Sequence, residues 1–492
     1  MTDSDKRALA VAERVRTDPY APRYHFIAPE GNAAPFDPNG ALFWNGRYHI
    51  FYIFQDPELP HEGHCWGHAS SADLIHWTYH PTALAPGPDD PDKGIFSGNA
   101  FVSKAGVPTI AYYGVFCGIC IAQSTDDNLE TWTKFPQNPV IGHPGKEDPM
   151  YGVYNVFDPH MWLEGDTYYA ILGGRVRPSN IRDTASLFRS DDLVHWEYLH
   201  DFYTPRAEWT DEIEDCACPD FSKLGSRYML ACISHSHGAR YYLGCYGNET
   251  FIPEEHHRMN WPGGPCFAPE SLVDDQGQRI MWFWVLDQRS GEPWMRRELG
   301  VLSLPRVLSL DDHGRLQIEP PDELHALRGT ARQYESLELE PGHDVPLADI
   351  SGECLEVAVE SNVPDGGVFG VKVRMSPDGE EQTVIMVDRA AGTLSIDTTQ
   401  SALRDDIWQP FPMMRKGERH DVRVQVAPLE LDAGEPLRLR VFVDRSVLEV
   451  FANRRQCVTQ RMYPTREDSM GMALFCRGGA MVARVEAWEM GK

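Results

Sequence analysis

The chain has 492 residues, 42% of them apolar, and carries a formal net charge of −28 from 73 acidic and 45 basic residues. This excess of negative charge argues against nucleic acid or an anionic membrane surface as a partner. A chain of this length has the size of two domains, each with an ordinary hydrophobic core.

The first residues predict a short polar helix, and no segment has the apolar length of an export signal or a membrane span. The eleven cysteines are an odd number and are scattered along the chain. Together these features favour reduced thiols and a cytoplasmic location. Cys117 and Cys120 are spaced C-x-x-C, whereas Cys216 and Cys218 are spaced C-x-C. Zinc sites usually pair two motifs of matching spacing, so we predict structural thiols and no metal.

Two aspartates each stand on a tight turn directly before a strand of aromatic and β-branched residues. The first is Asp37, followed by the turn formers Pro38, Asn39 and Gly40. The second is Asp158, which is followed by a proline. Either turn alone is explained by the capping of a hairpin. Two rigidly held carboxylates of this kind together suggest the paired-carboxylate chemistry of glycoside hydrolysis.

A short turn sequence recurs three times in the order Ser, Asp, Leu, Trp. Its copies are residues 71–77, 124–132 and 190–196. The intervals between their tryptophans are close to the length of a four-stranded propeller blade. Short β-like runs separated by Gly, Pro, Asn and Asp clusters surround them, so the sequence predicts an all-β β-propeller.

The pattern changes after Ser303. Residues 311–345 are charged and mixed in character, which predicts a linker with a short helix. From Cys354 onward, strands with period-two alternation resume and predict a two-sheet β-sandwich.

The motifs taken together resemble glycoside hydrolase family 32, the invertase, levanase and inulinase group, over nearly the whole chain. The segments that carry the resemblance are 37–40, 66–69, 73–77, 96–98, 158–159, 218–221, 443–451 and 462–464. The resemblance implies a five-bladed propeller over residues 1–325, a linker over 326–340 and a β-sandwich over 341–492.

The resemblance also implies roles for individual residues. Asp37 would be the nucleophile, and Asp158 would hold ring hydroxyls of the sugar. The acid/base glutamate of the family normally precedes the Cys-Pro-Asp segment, where this chain has Ala217. We predict that Glu214 replaces it. The further predicted substrate contacts are Asn39, Trp66, Phe96, Ser97, Asp215 and Glu270, the last of which could also stand in for the displaced acid.

Two other departures remove polar groups that would face the sugar, because Phe36 and Phe157 precede the two aspartates. Losing a buried donor that faces a hydroxyl costs about 1–3 kcal/mol. Either other donors such as Arg175, Arg240 or His235 take over, or the site accepts a different furanoside.

The sequence therefore predicts a retaining hydrolase of β-fructofuranosides such as sucrose, fructooligosaccharides or fructans, with a neutral carbohydrate as partner and no cofactor. One alternative is another furanosidase or a fructosyl transferase. A second is a sugar-binding protein that has lost its acid/base and its activity. We expect that any homo-oligomer of the protein forms through the sandwich.

Overall fold

The computed structural model describes residues 2–287, 289, 300–404 and 422–491. The chain begins with helix α1 (Asp3–Thr17), whose first turn is closed by a capping box between Thr2 and Asp5. The predicted polar helix is thereby confirmed. Within the described part of the chain, every helix is too short or too polar to traverse a lipid bilayer.

Five antiparallel sheets follow in chain order, and each is a blade of four sequential strands. Blade 1 contains β1 (Pro38–Trp44), β2 (Arg47–Gln55), β3 (His64–Ser71) and β4 (Trp77–Tyr79), with a 3₁₀ turn at His61–Gly63. Blade 2 contains β5 (Ile95–Val102), β6 (Pro108–Gly114), β7 (Gly118–Ser124) and β8 (Trp132–Lys134), with the short β9 (Ile141–Gly142) paired to β7. Blade 3 contains β10 (Pro159–Glu164), β11 (Thr167–Val176), β12 (Ile181–Ser190) and β13 (Glu197–Asp201). Blade 4 contains β14 (Ala217–Leu224), β15 (Arg227–Ser234), β16 (Gly238–Gly247) and β17 (Thr250–Arg258). Blade 5 contains β18 (Cys266–Val273), β19 (Arg279–Val285), β20 (Arg306–Leu310) and β21 (Leu316–Glu319).

The first strand of each blade packs against the first strand of the next, and the fifth packs against the first. These contacts close a ring of the inner strands β1, β5, β10, β14 and β18 around a common axis. The predicted propeller is confirmed. Residues at the start of the inner strands are therefore gathered at one end of the axis.

The repeated turn sequence links the third and fourth strands of blades 1, 2 and 3. In each copy the serine hydroxyl bonds the aspartate, which in turn accepts backbone amides of the following residues. The leucines, Leu74, Leu129 and Leu193, share a positive φ of 63°, 58° and 68°. The same turn conformation therefore connects the third and fourth strands in three of the blades.

Two six-stranded sheets form the sandwich, with orders β22-β33-β24-β29-β30-β31 and β23-β32-β25-β26-β27-β28. In chain order, the first six strands of the sandwich are β22 (Arg328–Leu339), β23 (Asp344–Pro346), β24 (Cys354–Ser361), β25 (Val368–Met375), β26 (Thr383–Asp388) and β27 (Thr393–Asp397). The others are β28 (Val424–Pro428), β29 (Leu437–Asp444), β30 (Val447–Ala452), β31 (Gln456–Arg461), β32 (Gly471–Arg477) and β33 (Met481–Met490).

The predicted linker over 326–340 is wrong in its structure. After a short 3₁₀ helix (Asp322–Leu327), residues Arg328–Leu339 form an edge strand that pairs with the last strand of the sandwich. Most of its side chains are exposed, because an edge strand of this kind buries little. Its apolar pattern was therefore too weak to be recognised in the sequence.

The segment that precedes β1 is held by the sandwich. The Asp444 carboxylate accepts backbone N–H bonds from Arg23, Tyr24 and His25 at 2.7, 2.9 and 3.0 Å. His25 also bonds Asp444 through Nδ1 at 2.8 Å and Glu449 through Nε2 at 3.3 Å. The chain that leads into the first blade is thus fixed by residues near the other end of the sequence.

Candidate active site

Four of the five inner strands contain an irregularity near the end where they begin. The register shifts lie between residues 39 and 42, 95 and 98, 217 and 220, and 267 and 270. Bulges re-aim side chains locally. The remaining inner strand, β10, has a regular register, but Asp158 stands directly before it with a φ of 22°, an uncommon conformation for a residue other than glycine. The strand starts are therefore shaped to turn side chains toward the axis.

Asp37 is nearly fully buried at this end of the axis. Its Oδ2 accepts a hydrogen bond from the Ser97 hydroxyl at 2.5 Å. Asn39 supports the same turn: its side-chain amide donates to the Asp37 carbonyl at 2.7 Å, and its Oδ1 accepts from the Gly98 amide at 3.0 Å. Gly40 completes the turn at a φ of 55°, where a Cβ would approach the Phe51 ring to 3.0 Å. The first carboxylate is thus fixed by contacts between blades 1 and 2.

Asp158 faces Asp37 across one sulfur atom. Cys218 Sγ lies 3.6 Å from Asp37 Oδ2 and 3.6 Å from Asp158 Oδ2. The Cys218 amide donates to Asp158 Oδ2 at 3.0 Å, an orientation that its φ of 44° makes possible. Asp158 Oδ1 is buried and has no hydrogen-bond partner among the described residues. The site therefore holds two carboxylates within a sugar ring's reach, one with a free acceptor.

Among the described residues, neither carboxylate has a cation in hydrogen-bond contact, and the pKa values of both carboxylates reflect this. Burial raises the pKa of Asp37, although the bond from Ser97 opposes the shift. Burial, together with the charge of Asp37, raises the pKa of Asp158 to about 7 against the bond from Cys218. Burial and the two neighbouring carboxylates raise the pKa of the Cys218 thiol well above its usual range, so the thiol is neutral.

Two residues that the sequence did not single out as site residues support the Asp37 loop. The Gln55 amide accepts from the Ala34 N–H at 2.7 Å and donates to the Pro35 carbonyl at 3.0 Å. His64 lies 3.3 Å from Gln55 through Nδ1, and its charge lowers the pKa of Asp37. The signal for Gln55 in the sequence was a glutamine at the end of the aromatic strand that follows the Asp37 turn.

Glu214, the predicted acid, lies in an ion-pair cluster. Arg258 binds both of its carboxylate oxygens at 2.8 and 3.2 Å, and Arg240 lies 3.3 Å away. Burial acts to raise the pKa of Glu214, but the bonds and charges of the two arginines lower it to about 2. A general acid has to be protonated near the working pH. The surroundings of Glu214 are therefore those of a structural anion.

The neighbouring Asp215 is turned toward a histidine. Its Oδ1 accepts the backbone amide of His235 at 3.0 Å, and its Oδ2 lies 2.7 Å from His235 Nδ1. Burial opposes the charge on both groups, but their mutual bond prevails. The pKa of Asp215 is lowered and that of His235 is raised, with Asp158 and Asp37 adding to the shift of His235.

The other predicted contacts divide into two groups. Ser97 and Asn39 lie at Asp37, and the partly exposed Phe96 packs near Phe157. Trp66 is fully buried and donates to the Phe96 carbonyl at 3.0 Å, so it supports the site from inside the blade and offers no wall to a sugar. Both faces of β3 are covered by neighbouring blades, which explains its burial.

Glu270 lies lower on the inner strand β18, where it accepts the Ala41 amide at 2.9 Å. Burial and the charge of Asp220 raise the pKa of Glu270 well above its usual range. Phe36 is also fully buried, and it packs against Tyr52 with ring centroids 5.2 Å apart. Its side chain therefore belongs to the core of the blade.

Of the alternative donors, Arg240 is fully buried beside Asp183 and Glu214, away from any open surface. Arg175 donates to the carbonyls of Ile213 and Glu214 at 2.7 and 3.2 Å. His235 bonds Asp215 through its backbone amide and Nδ1, and its Nε2 has no hydrogen-bond partner among the described residues.

A cavity of about 390 Å³ opens beside these groups. Its lining includes Asp215, Phe157, Arg175, Arg177 and Tyr151. This volume is within the range of about 300–1,000 Å³ found for small-molecule sites. The cavity therefore has the size of a small-molecule site next to Asp215 and Phe157.

A set of metal-type donor atoms occurs at Asp211, Glu214 and His237, all within 4.8 Å of one another. Because two arginines already bind the Glu214 carboxylate, this set forms an ion-pair cluster instead of a metal centre.

A ring of five blades with two carboxylates at one end of its axis, followed by a sandwich, defines a class of glycoside-cleaving enzymes. The model of the glycosyl hydrolases family 32 N-terminal domain matches residues 25–320, and that of the family 32 C-terminal domain matches residues 323–489. The chain therefore belongs to glycoside hydrolase family 32 and is a glycosidase.

Several relatives share this organisation. The chain is 29% identical over 506 residues to a levanase of Bacillus subtilis (strain 168), covering 94% of this chain and 69% of the relative. It is 27% identical over 519 residues to a sucrose-6-phosphate hydrolase of Escherichia coli, covering 99% and 98%. The solved fructan 1-exohydrolase IIa of Cichorium intybus superposes with a TM-score of 0.78 at 24% identity, covering 96% of this chain and 98% of that one.

Proposed function

We propose that the protein hydrolyses β-fructofuranosides with retention of configuration. The observation that carries the proposal is the placement of Asp37 and Asp158 on either side of the Cys218 sulfur, with Asp158 Oδ1 left without a partner. The names of relatives that act on levan, sucrose phosphate and fructan support the choice of a fructofuranoside.

Asp37 would attack the anomeric carbon, because it is buried and oriented by Ser97 and needs no further movement. This attack would join Asp37 to the sugar through an ester bond, and water would cleave that bond in the second step. The free Oδ1 of Asp158 would accept a hydrogen bond from a ring hydroxyl, and this hydrogen bond would strengthen as charge develops on the sugar. The positions of Asp37 and Asp158 support these two roles, whereas the surroundings of Glu214 do not support the role of proton donor.

The experiment is to incubate the protein with sucrose, 1-kestose and levan and to follow the released fructose by NMR in the first minutes. Release of the β-anomer, before mutarotation, is expected. Release of the α-anomer would point to an inverting furanosidase. Transfer to added acceptor sugars in preference to water would identify a transferase, and calorimetric binding without release would identify a sugar-binding protein.

We propose further that the protein works in a reducing compartment such as the cytoplasm. All eleven cysteines are free thiols, and eight of them are buried. Self-association through the sandwich stays a prediction, which light scattering of the purified protein would test.

A further inference from the structure

The proposed reaction needs a proton donor for the departing oxygen, and the usual position for it is empty of any acid. Ala217 contributes a buried methyl group there. Glu214 is bound by Arg258 and Arg240 and is held as an anion. The donor has to come from another group at the same end of the axis.

Asp215 lies two residues before Ala217, so that in an extended chain both side chains point to the same face. Ala217 pairs with Ile233 on the neighbouring strand, which places Asp215 opposite His235. The contacts bear this out, because both Asp215 oxygens are bound by His235 through its backbone amide and Nδ1. Asp215 therefore fixes the ring of His235 and directs its other nitrogen away from itself.

His235 occupies the turn between β15 and β16, and its ring packs near Phe157, with centroids 6.4 Å apart. Phe157 directly precedes Asp158 and lines the cavity, as Asp215 does. The charges of Asp37, Asp158 and Asp215 all act on His235. Nε2 has no partner among the described residues. His235 thus experiences the charges of the carboxylate pair and contacts Phe157 and Asp215, two residues that line the cavity.

We propose that His235, oriented by Asp215, is the general acid and base of this enzyme in place of a glutamate. This inference rests on the proposed function. In the first step an Asp37 oxygen bonds to the anomeric carbon while the bond to the leaving oxygen breaks, and that oxygen takes the proton of Nε2. In the second step Nε2 takes a proton from water, the water oxygen bonds to the anomeric carbon, and the ester bond to Asp37 breaks.

Asp215 is a positioning residue in this scheme and stays ionised throughout. The arrangement is that of an imidazole held in one tautomer by a carboxylate at Nδ1, which leaves Nε2 to exchange protons. Arg175 lies near Asp215 and limits its basicity through its positive charge. The charged groups that act on the pair are therefore Asp37, Asp158 and Arg175.

The test compares His235→Gln and Asp215→Asn with wild type on two substrates, sucrose and p-nitrophenyl β-D-fructofuranoside. A nitrophenolate departs with little protonation, whereas glucose does not. For His235→Gln we expect kcat/KM on sucrose to fall by about 10²–10⁴, the usual contribution of general acid catalysis. On the aryl substrate kcat/KM should fall by less than about tenfold, and added azide should raise kcat by replacing the activated water.

The pH profiles separate the two partners. In His235→Gln the fall of kcat/KM at high pH should vanish, because the group that loses its proton is gone. In Asp215→Asn this fall should move to lower pH, because the imidazolium has lost its anionic partner. His195→Gln is the matched control, since His195 Nδ1 lies 2.8 Å from Asp192 in an exposed turn far from the axis.

Equal losses on both substrates in His235→Gln, at an unchanged melting temperature, would overturn the proposal. So would the reverse pattern, in which Asp215→Asn loses the high-pH fall and His235→Gln only shifts it, because Asp215 would then be the acid. An NMR titration of the His235 ring in wild type, which needs no variant, should show a pKa above the ordinary 6.5, and a value below it would also overturn the proposal. If wild type cleaves neither substrate, the proposed function itself fails.

Discussion

The protein buries carboxylates in two places that treat them in opposite ways. At the propeller axis, Asp37 and Asp158 have no cation in hydrogen-bond contact within the described part of the chain, and burial raises the pKa of both. At the junction with the sandwich, Asp444 and Glu449 are equally buried. Against the effect of burial, His25 and backbone amides lower the pKa of Asp444, and Arg306 and His25 lower the pKa of Glu449. Partners, and not burial, decide whether a carboxylate is kept as a fixed anion or left available for chemistry.

The junction shows what full compensation requires. Glu449 accepts the Leu304 amide at 2.7 Å and the Thr459 hydroxyl at 3.1 Å, and Arg306 lies 3.2 Å away. Glu214 belongs to the same kind of site, although it adjoins the catalytic end of the propeller. The comparison makes opposite predictions for the two kinds of carboxylate.

The largest effect is expected for Asp37→Asn. Removal of the proposed nucleophile should lower kcat on sucrose by at least about 10³-fold. The melting temperature should stay the same or rise, because the lost charge was buried without a cation. Steady-state kinetics and calorimetry measure the two effects, with the exposed Asp127→Asn as control. A variant that keeps more than a tenth of wild-type activity would exclude Asp37 as nucleophile.

Glu449→Gln should have the reverse signature. It leaves Arg306 and His25 buried with one anion fewer, which typically costs about 3–5 kcal/mol of stability. Denaturant unfolding should show this loss, while the folded fraction should retain wild-type kcat because Glu449 is remote from the axis. An unchanged unfolding midpoint would show that the junction charges are not tightly coupled.

The junction should also make stability depend on pH. Burial would lower the pKa of His25, but its bonds to Asp444 and Glu449 raise it to about 9. A raised pKa stabilises the fold fully below the unfolded value of about 6.5, and the contribution is lost as pH rises from there toward 9. The loss should be on the order of 3 kcal/mol.

Unfolding midpoints measured between pH 6 and pH 10 test this dependence. His25→Gln should be less stable at pH 6 and should show a flatter curve above pH 6.5. The exposed His76→Gln should follow wild type throughout. A wild-type curve that is flat up to pH 10 would contradict the assignment of a charged His25.

The smallest effect is expected for Glu214→Gln. The variant keeps the shape of the side chain but leaves Arg258 and Arg240 without their anion. The cost in stability should be about 1–3 kcal/mol, less than at Glu449, because the Arg258 side chain is partly exposed to water. The value of kcat on sucrose should stay within about tenfold of wild type, with an unchanged pH profile. A loss of 10² or more confined to substrates with poor leaving groups would restore Glu214 as the acid.

The sequence was sufficient where structure depends on neighbours in the chain. The blade turns were recognised because Ser71, Asp73 and Trp77 form a local unit that repeats. Asp37 and Asp158 were recognised because each stands on its own turn. The relations that the sequence could not give are those between distant segments.

Three of these relations changed the interpretation of the site. Glu214 is neutralised by Arg258, 44 residues away, and Asp215 is bound by His235 across two strands. Trp66 was expected to line the pocket, but its strand is covered on both faces. In each case the residue itself was visible in the sequence, but the contacts that determine its role come from other parts of the chain.

The anchoring of the first blade has a consequence for how the protein is made. Asp444 follows Arg23 by 421 residues. A ribosome that adds about 5–20 residues per second exposes the N-terminal segment for tens of seconds before its partner emerges. The segment that leads to Asp37 is therefore synthesised long before the residue that secures it. A nascent chain that stalls before the sandwich would carry all five blades and still lack the clasp on the segment leading to Asp37.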